Sequence, residues 1–139
     1  MTVQDPNVVA TSGAESAAAD SPRAGQLRLD VRTAGDGVTV LAVSGEVDML
    51  TAPQLRASAL RHLDDGRTLV LDLSGVSFLG SAGLAVLVEA SQHAKRRGAA
   101  FRVVAVERAV TRPLVATGLD EVFSVFESVD QALEADESR

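Results

Sequence analysis

The chain contains no cysteine, which excludes disulfides, thiolate metal sites, cysteine nucleophiles and thiol redox sensing. Tryptophan and tyrosine are also absent, and four phenylalanines make up the whole aromatic content of 3%. So few rings offer none of the stacking platforms on which single-stranded nucleic acids rest. No apolar run approaches the roughly 20 residues that a membrane-spanning helix requires. The opening MTVQDPNVVATSG lacks the cationic start and continuous apolar middle of a secretory leader. These absences predict a cytoplasmic protein that makes no membrane contact.

The net charge of −6 is not spread evenly. Asp5, Glu15 and Asp20 outnumber Arg23 near the start, and Glu127, Asp130, Glu134, Asp136 and Glu137 outnumber Arg139 at the end, which leaves the middle neutral. A neutral middle with acidic ends lacks the electrostatic footprint of a nucleic-acid binder, so no nucleic-acid partner is expected. The basic cluster KRRG, residues 95–98, falls at the end of a predicted helix, where cations complement the dipole.

With 139 residues and 46% hydrophobic content, the chain is long enough to bury one core without metals or cross-links. Residues 1–24 are rich in alanine, serine, threonine and aspartate with no sustained apolar period, and cannot offset the entropy of ordering. The sequence therefore predicts a disordered tail over 1–24 and a single domain over 25–136.

Within that domain QLRLDVRT alternates Leu27, Leu29 and Val31 with Arg28, Asp30 and Arg32, as a half-wet edge strand does. Gly35, Asp36 and Gly37 supply a turn into VTVLAVSG, which predicts an antiparallel hairpin. Thr51 with Gln54, and Pro53 between them, match a capping box opening a helix with Leu55, Ala59, Leu60 and Leu63 on its apolar face. TLVLDLSGV reads as a central strand covered on both faces, and SGVSFLG as the loop that follows. A helix over 81–97 then carries Leu84, Leu87, Val88, Ser91 and Ala94 in one stripe, ending at Gly98. FRVVAV, RAVTRPLVAT, EVFSVF and VDQALEA add strand, helix, strand and helix, the last opened by a second capping box of Ser128 and Gln131. The order β-β-α-β-α-β-α-β-α predicts an α/β fold, a mixed sheet of four to five strands with about four helices and right-handed crossovers. Asp72, inside an apolar strand, must be paired or lie near the rim of the sheet.

Ser81, in FLGSAGLAVLVEA, stands where strand gives way to helix. A nucleophile elbow reads G-x-S-x-G, which Gly80-Ser81-Ala82-Gly83 does not match. A serine nucleophile also needs a histidine base within reach. His93 lies about 18 Å along the same helix, at 1.5 Å per residue, and His62 sits at the end of another helix; both read as solvated surface residues. No G-x-x-x-x-G-K-[ST] phosphate loop and no metal-ligand cluster is present, so neither catalysis nor a cofactor is expected. Two readings of Ser81 remain: a helix N-cap, or a hydroxyl offered to another protein. Gly80 and Gly83 clear bulk on either side of it, and a helix N-terminus tolerates a phosphate.

GEVDMLTAPQL, LVLDLSGVSFLGSAGLAVLV and TGLDEVF together resemble a STAS domain of the anti-sigma factor antagonist type, over about 26–135. The resemblance implies a small regulator that binds an anti-sigma factor kinase when unphosphorylated, frees a sigma factor, and is switched off by phosphorylation. Ser81 matches the family phosphoacceptor, the first serine of D-S-[ST]-G, although Gly80 replaces the acidic residue and Ala82 the second hydroxyl. The implied partner-binding residues are Glu46, Asp48, Thr51, Gly80, Ser81, Ala82, Gly83 and Leu84, in a protein that is a monomer or weak dimer. One alternative keeps the fold without phosphorylation, as an interaction module in a sensory or transport assembly. Another is an enzyme or nucleotide binder at the glycine-flanked helix start, for which base and phosphate loop are missing.

Overall fold

A computed structural model describes residues 26–135. The expected tail lies outside the described residues, as do the first and last residues of the expected domain, 25 and 136. Strands β1 (Leu27–Thr33) and β2 (Val38–Val47) form the predicted antiparallel hairpin, with Gly35 and Gly37 both at φ 74° in its turn. There follow helix α1 (Ala52–Asp64), strand β3 (Thr68–Leu79), helix α2 (Ser81–Arg97), strand β4 (Phe101–Val104), helix α3 (Arg108–Ala116), a 3-10 turn (Leu119–Glu121), strand β5 (Ser124–Phe126) and helix α4 (Val129–Glu134). The sheet order is β1-β2-β3-β4-β5, every pair after the first being parallel.

Stepping across a sheet in one direction with right-handed crossovers puts the crossover helices on one face. Residues from α1, α2 and α3, among them Leu55, Leu87 and Leu114, share a core with Leu41, Leu69, Leu71, Leu73 and Val103. Strand alternation turns Val40, Val70 and Val104 to the opposite face, where α4 covers them with Ala132, Val129 and Leu133. β3 is thus buried on both faces, as its apolar run predicts. Ser128 caps α4 by accepting from the Gln131 N–H at 3.1 Å; the Gln131 side chain accepts from Glu127 N, one residue earlier than in the standard box. EVFSVF yields only a three-residue strand, because Leu119–Glu121 coils into the 3-10 turn.

The predicted loop SGVSFLG is strand as far as Leu79. Two register shifts in the β2–β3 ladder, between Ala42 and Ser44 and between Gly45 and Glu46, keep the two chains paired to Val47↔Leu79. Gly75 permits the close approach this needs, since a Cβ there would lie 2.9 Å from Ser44 Oγ and 3.0 Å from Val43 O. Asp72 is satisfied locally, its Oδ1 accepting from Ser74 Oγ at 2.6 Å and Ser74 N at 3.0 Å.

α1 and α2 are tied along their exposed sides. Arg56 grips Glu89 through two nitrogens, its Nη2 at 2.6 Å from Oε2, and Asp64 Oδ1 meets His93 Nε2 at 2.6 Å and Arg97 Nη2 at 3.1 Å. His93 is therefore not the solvated residue expected: its side chain is 19% exposed, and packing beside α1 pairs it. His62 is half-buried too, its Nδ1 2.8 Å from Ser58 O. Arg97 of the basic cluster reaches across to α1 rather than only facing its own helix end. The hydrogen bond from His93 holds the Asp64 carboxyl below its ordinary value against the opposing effect of burial, and attraction to Arg97 acts in the same direction as the bond. Arg56 does the same to Glu89 by hydrogen bond and by charge.

Gly83, in the first turn of α2, is buried, and a Cβ there would stand 2.5 Å from Leu79 Cδ1 and 2.6 Å from Val47 Cγ1. Alanine improves intrinsic helix propensity by about 1 kcal/mol, but overpacking of this kind costs about 1–3 kcal/mol. Gly83→Ala is expected to lose about 1 kcal/mol net in urea denaturation; a stabilised variant would refute the packing account. A second expectation concerns acid. Asp64 binds its proton less readily folded than unfolded, so its contribution is complete above the ordinary carboxyl value of about 3.9 and disappears as pH falls through the depressed folded value. Between about pH 4 and pH 2 the melting temperature of Asp64→Asn should fall less steeply than that of the wild type. Superimposable profiles would remove the bridge from the account.

Candidate functional site

Strand pairing brings the two halves of the site together. Glu46 stands opposite Phe78 and Val47 opposite Leu79, and the ladder closes with Gly80 N donating to Val47 O at 2.9 Å. The chains leaving β2 and β3 therefore start α1 and α2 side by side at the carboxyl end of the parallel strands. That is where open α/β sheets present their binding surfaces.

On the α1 side the organising group is Asp48. Its Oδ1 accepts from Leu50 N at 2.9 Å and Thr51 N at 3.0 Å, while its carbonyl accepts from Ala52 N at 2.8 Å. This is the hydrogen-bond pattern of a helix N-cap. Thr51 already has helical angles, φ −99° and ψ −20°, so the predicted Thr51–Gln54 capping box does not form. The buried Thr51 hydroxyl donates instead to Glu46 O at 2.8 Å and accepts from Asp48 N at 3.0 Å, closing the turn on itself. Glu46 belongs to β2, which runs past the predicted VTVLAVSG, and is half-buried.

On the α2 side Ser81 is exposed and is the first helical residue, not the cap. The cap position is Gly80, extended at φ −90° and ψ −176°, and no side chain caps the helix. The first intrahelical bond runs from Leu84 N to Gly80 O at 3.0 Å. The N–H groups of Ser81, Ala82 and Gly83 precede it, at the positive end of the helix dipole. The predicted clearing around the hydroxyl is corrected at Gly83, whose missing Cβ makes room for Leu79 and Val47 from inside. At Gly80 a Cβ would meet the Phe78 ring at 3.0 Å, so the ring occupies the space that a larger residue would claim. Ala82 and Leu84 are half-buried and pack on the main core.

The eight expected contact residues do share this end of the sheet, yet Ser81 alone among them is exposed. What the sequence reading missed is an apolar surface beside it: Met49 is 78% exposed, Leu50 82% and Phe78 50%. The signal for the first two was present, because a cap at Asp48 that returns at Thr51 turns the two intervening side chains outward. Phe78 was hidden by the assignment of its segment to a loop.

No group of three or more potential metal ligands occurs among the described residues, and no helix there is long and apolar enough to cross a membrane. His93, the nearer histidine in sequence, is engaged with Asp64 at the other end of α2 from Ser81.

A mixed sheet of this order, with exposed Ser81 opening α2, defines a class. The chain belongs to the STAS domain family, whose profile matches residues 31–132. Its relatives are anti-sigma factor antagonists. The anti-sigma-F factor antagonist RsfB of Mycobacterium tuberculosis is 39% identical over 99 residues, spanning 70% of this chain and 80% of RsfB. The anti-sigma-B factor antagonist of Bacillus subtilis is 26% identical over 99 residues, 71% of this chain and 90% of that protein. The crystal structure of an anti-sigma factor antagonist from Mycobacterium paratuberculosis superposes with a TM-score of 0.74 at 39% identity, covering 81% of this chain and 95% of that one.

The role of Asp48 in the turn is testable without a partner. Asp48→Ala removes the acceptor for two N–H groups and should destabilise the protein by about 1 kcal/mol, whereas Asp48→Asn keeps an oxygen there and should stay within a few tenths of the wild type in denaturant titration. Equal losses in both variants would show that charge, not capping, is what the site requires.

Proposed function

We propose that this protein is an anti-sigma factor antagonist that acts by binding an anti-sigma factor kinase in the cytoplasm, and that phosphorylation of Ser81 ends the binding. One observation carries the reading: in a chain of this family, Ser81 is the exposed hydroxyl at the start of α2, beside the capped start of α1. Unbonded helical N–H groups receive a phosphate there without disturbing the core. The phosphate then adds about two negative charges to a contact surface with apolar side chains on it. A partner seated on that surface would have to strip water from a dianion, which is expensive when no compensating pair forms.

Gly80 favours a second reading. With the Phe78 ring against it, the position holds no carboxylate to orient the hydroxyl for a kinase. In that case the same surface binds constitutively, as an interaction module in a larger sensory or transport assembly.

The two readings part in one experiment. The protein is incubated with purified anti-sigma factors from the source organism and ATP, phosphate is located by mass spectrometry, and affinity is measured before and after. Phosphate at Ser81 should appear, with affinity at least tenfold weaker, about 1.4 kcal/mol. Ser81→Asp should be weakened in the same direction, and Ser81→Ala should bind regardless of ATP. Binding by the wild type with no phosphate at Ser81, and equal affinity in both variants, would leave the constitutive module.

A further inference from the structure

Resting on the reading of this chain as an anti-sigma factor antagonist, we propose that Met49, Leu50 and Phe78 form the anchor of its interface, and that the partner presents to them an apolar pocket bordered on one side by arginine or lysine. Single exposed apolar residues are ordinary on a protein surface. Here three large ones gather within a few residues of the Val47–Gly80 hydrogen bond, two of them about four-fifths exposed. A grouping of that kind marks an interaction surface.

Their setting is rigid, which suits an anchor. The Leu50 N–H is bound by Asp48 Oδ1, the next residue is buried, and its hydroxyl is fastened to Glu46 O. The Met49–Leu50 backbone is therefore already ordered before any partner arrives, and less conformational freedom is lost on docking. Phe78 is held by its strand opposite Glu46, with its ring close to Gly80.

Charge supplies the rest of the argument. Residues 44–54 and 75–88, which carry this apolar group, contain Glu46 and Asp48 and no lysine or arginine, and Arg28, opposite Ser44 in β1, is paired with Asp30. The first cation along α1, Arg56, is engaged by Glu89. The β2 side of the apolar group is thus acidic, and a complementary partner is basic on that side. Ser81 opens α2, in a stretch that is uncharged from residue 75 to 88. A phosphate on that uncharged stretch adds a desolvation cost to the apolar part of the contact, which reconciles a basic partner with release on phosphorylation.

The test uses full-length protein and the purified anti-sigma factor that binds the wild type, read by calorimetry. The double variant Met49→Gln with Leu50→Gln, and separately Phe78→Gln, should each weaken binding at least thirtyfold while the melting temperature stays unchanged or rises. Wild-type affinity should fall with salt, and Glu46→Gln should reduce that dependence. Affinities within twofold of the wild type in both apolar variants overturn the anchor while leaving the antagonist reading intact. Salt-independent affinity overturns the basic border. A wild type that binds none of the anti-sigma factors removes both the anchor and the reading on which it rests. Should the double variant fold poorly, Met49→Lys alone, which leaves every Asp48 hydrogen bond in place, gives the same decision by repelling the basic side.

Discussion

The seating of α2 on the ends of β2 and β3 governs the geometry of the proposed contact surface. Gly83 has no side chain because Val47 and Leu79 already fill the space, and Val47 also accepts the Gly80 N–H that ends the ladder. A single strand residue thus holds the cap of one helix by its carbonyl, meets the first turn of that helix by its side chain, and leads directly into the turn that starts the other. Move Val47, and α1 and α2 no longer begin together. The register shifts earlier in the ladder serve the same end, since without them β2 and β3 would part before reaching this point.

Charge and burial are divided between the two ends of the helix pair. The ion pairs between α1 and α2 lie from Arg56–Glu89 onward, and the last, at Asp64, involves a histidine and an arginine near the end of α2. Such exposed pairs contribute modestly to stability, but they align the helices without placing cations where they begin. What remains at the beginning is a self-contained turn organised by Asp48, an uncapped α2 with Ser81 first, and three apolar side chains in water. The carboxylate of Asp48 belongs to the architecture of its turn before it belongs to any interface.

Much of this was legible in the sequence, and the exceptions have physical causes. The alternation of Leu27 and Leu29 with charged neighbours gave the edge strand, the continuous apolar run around Leu69–Leu73 gave the doubly covered strand, and Ser128 with Gln131 marked the last helix. The family motifs located Ser81. The length of β3 was not legible, because bulges are created by pairing with β2 and leave no periodicity of their own, and Ser, Gly and Phe in succession look like a loop. Caps were misplaced by a few residues on both helices, since Asp48, Thr51, Gly80 and Ser81 are all acceptable cap residues and only the turn geometry chooses among them. The histidines were misread because a polar neighbourhood in sequence says nothing of a second helix alongside. Exposure of Met49 and Leu50 depended on the cap assignment and was lost with it.

The path of the chain at its margins bears on how the protein can be handled. Gln26 O accepts from Glu46 N, so β1 begins at the carboxyl end of the parallel strands, whereas the Ala132 carbonyl in α4 is held by Arg102 near the start of β4, on the opposite face and at the opposite end. A fluorophore, affinity handle or fused reporter joined directly at Gln26 would start beside the proposed contact surface. The same cargo joined directly at the end of α4 would start from the opposite end of the sheet, which makes α4 the better place to tether the protein to a sensor chip or a bead.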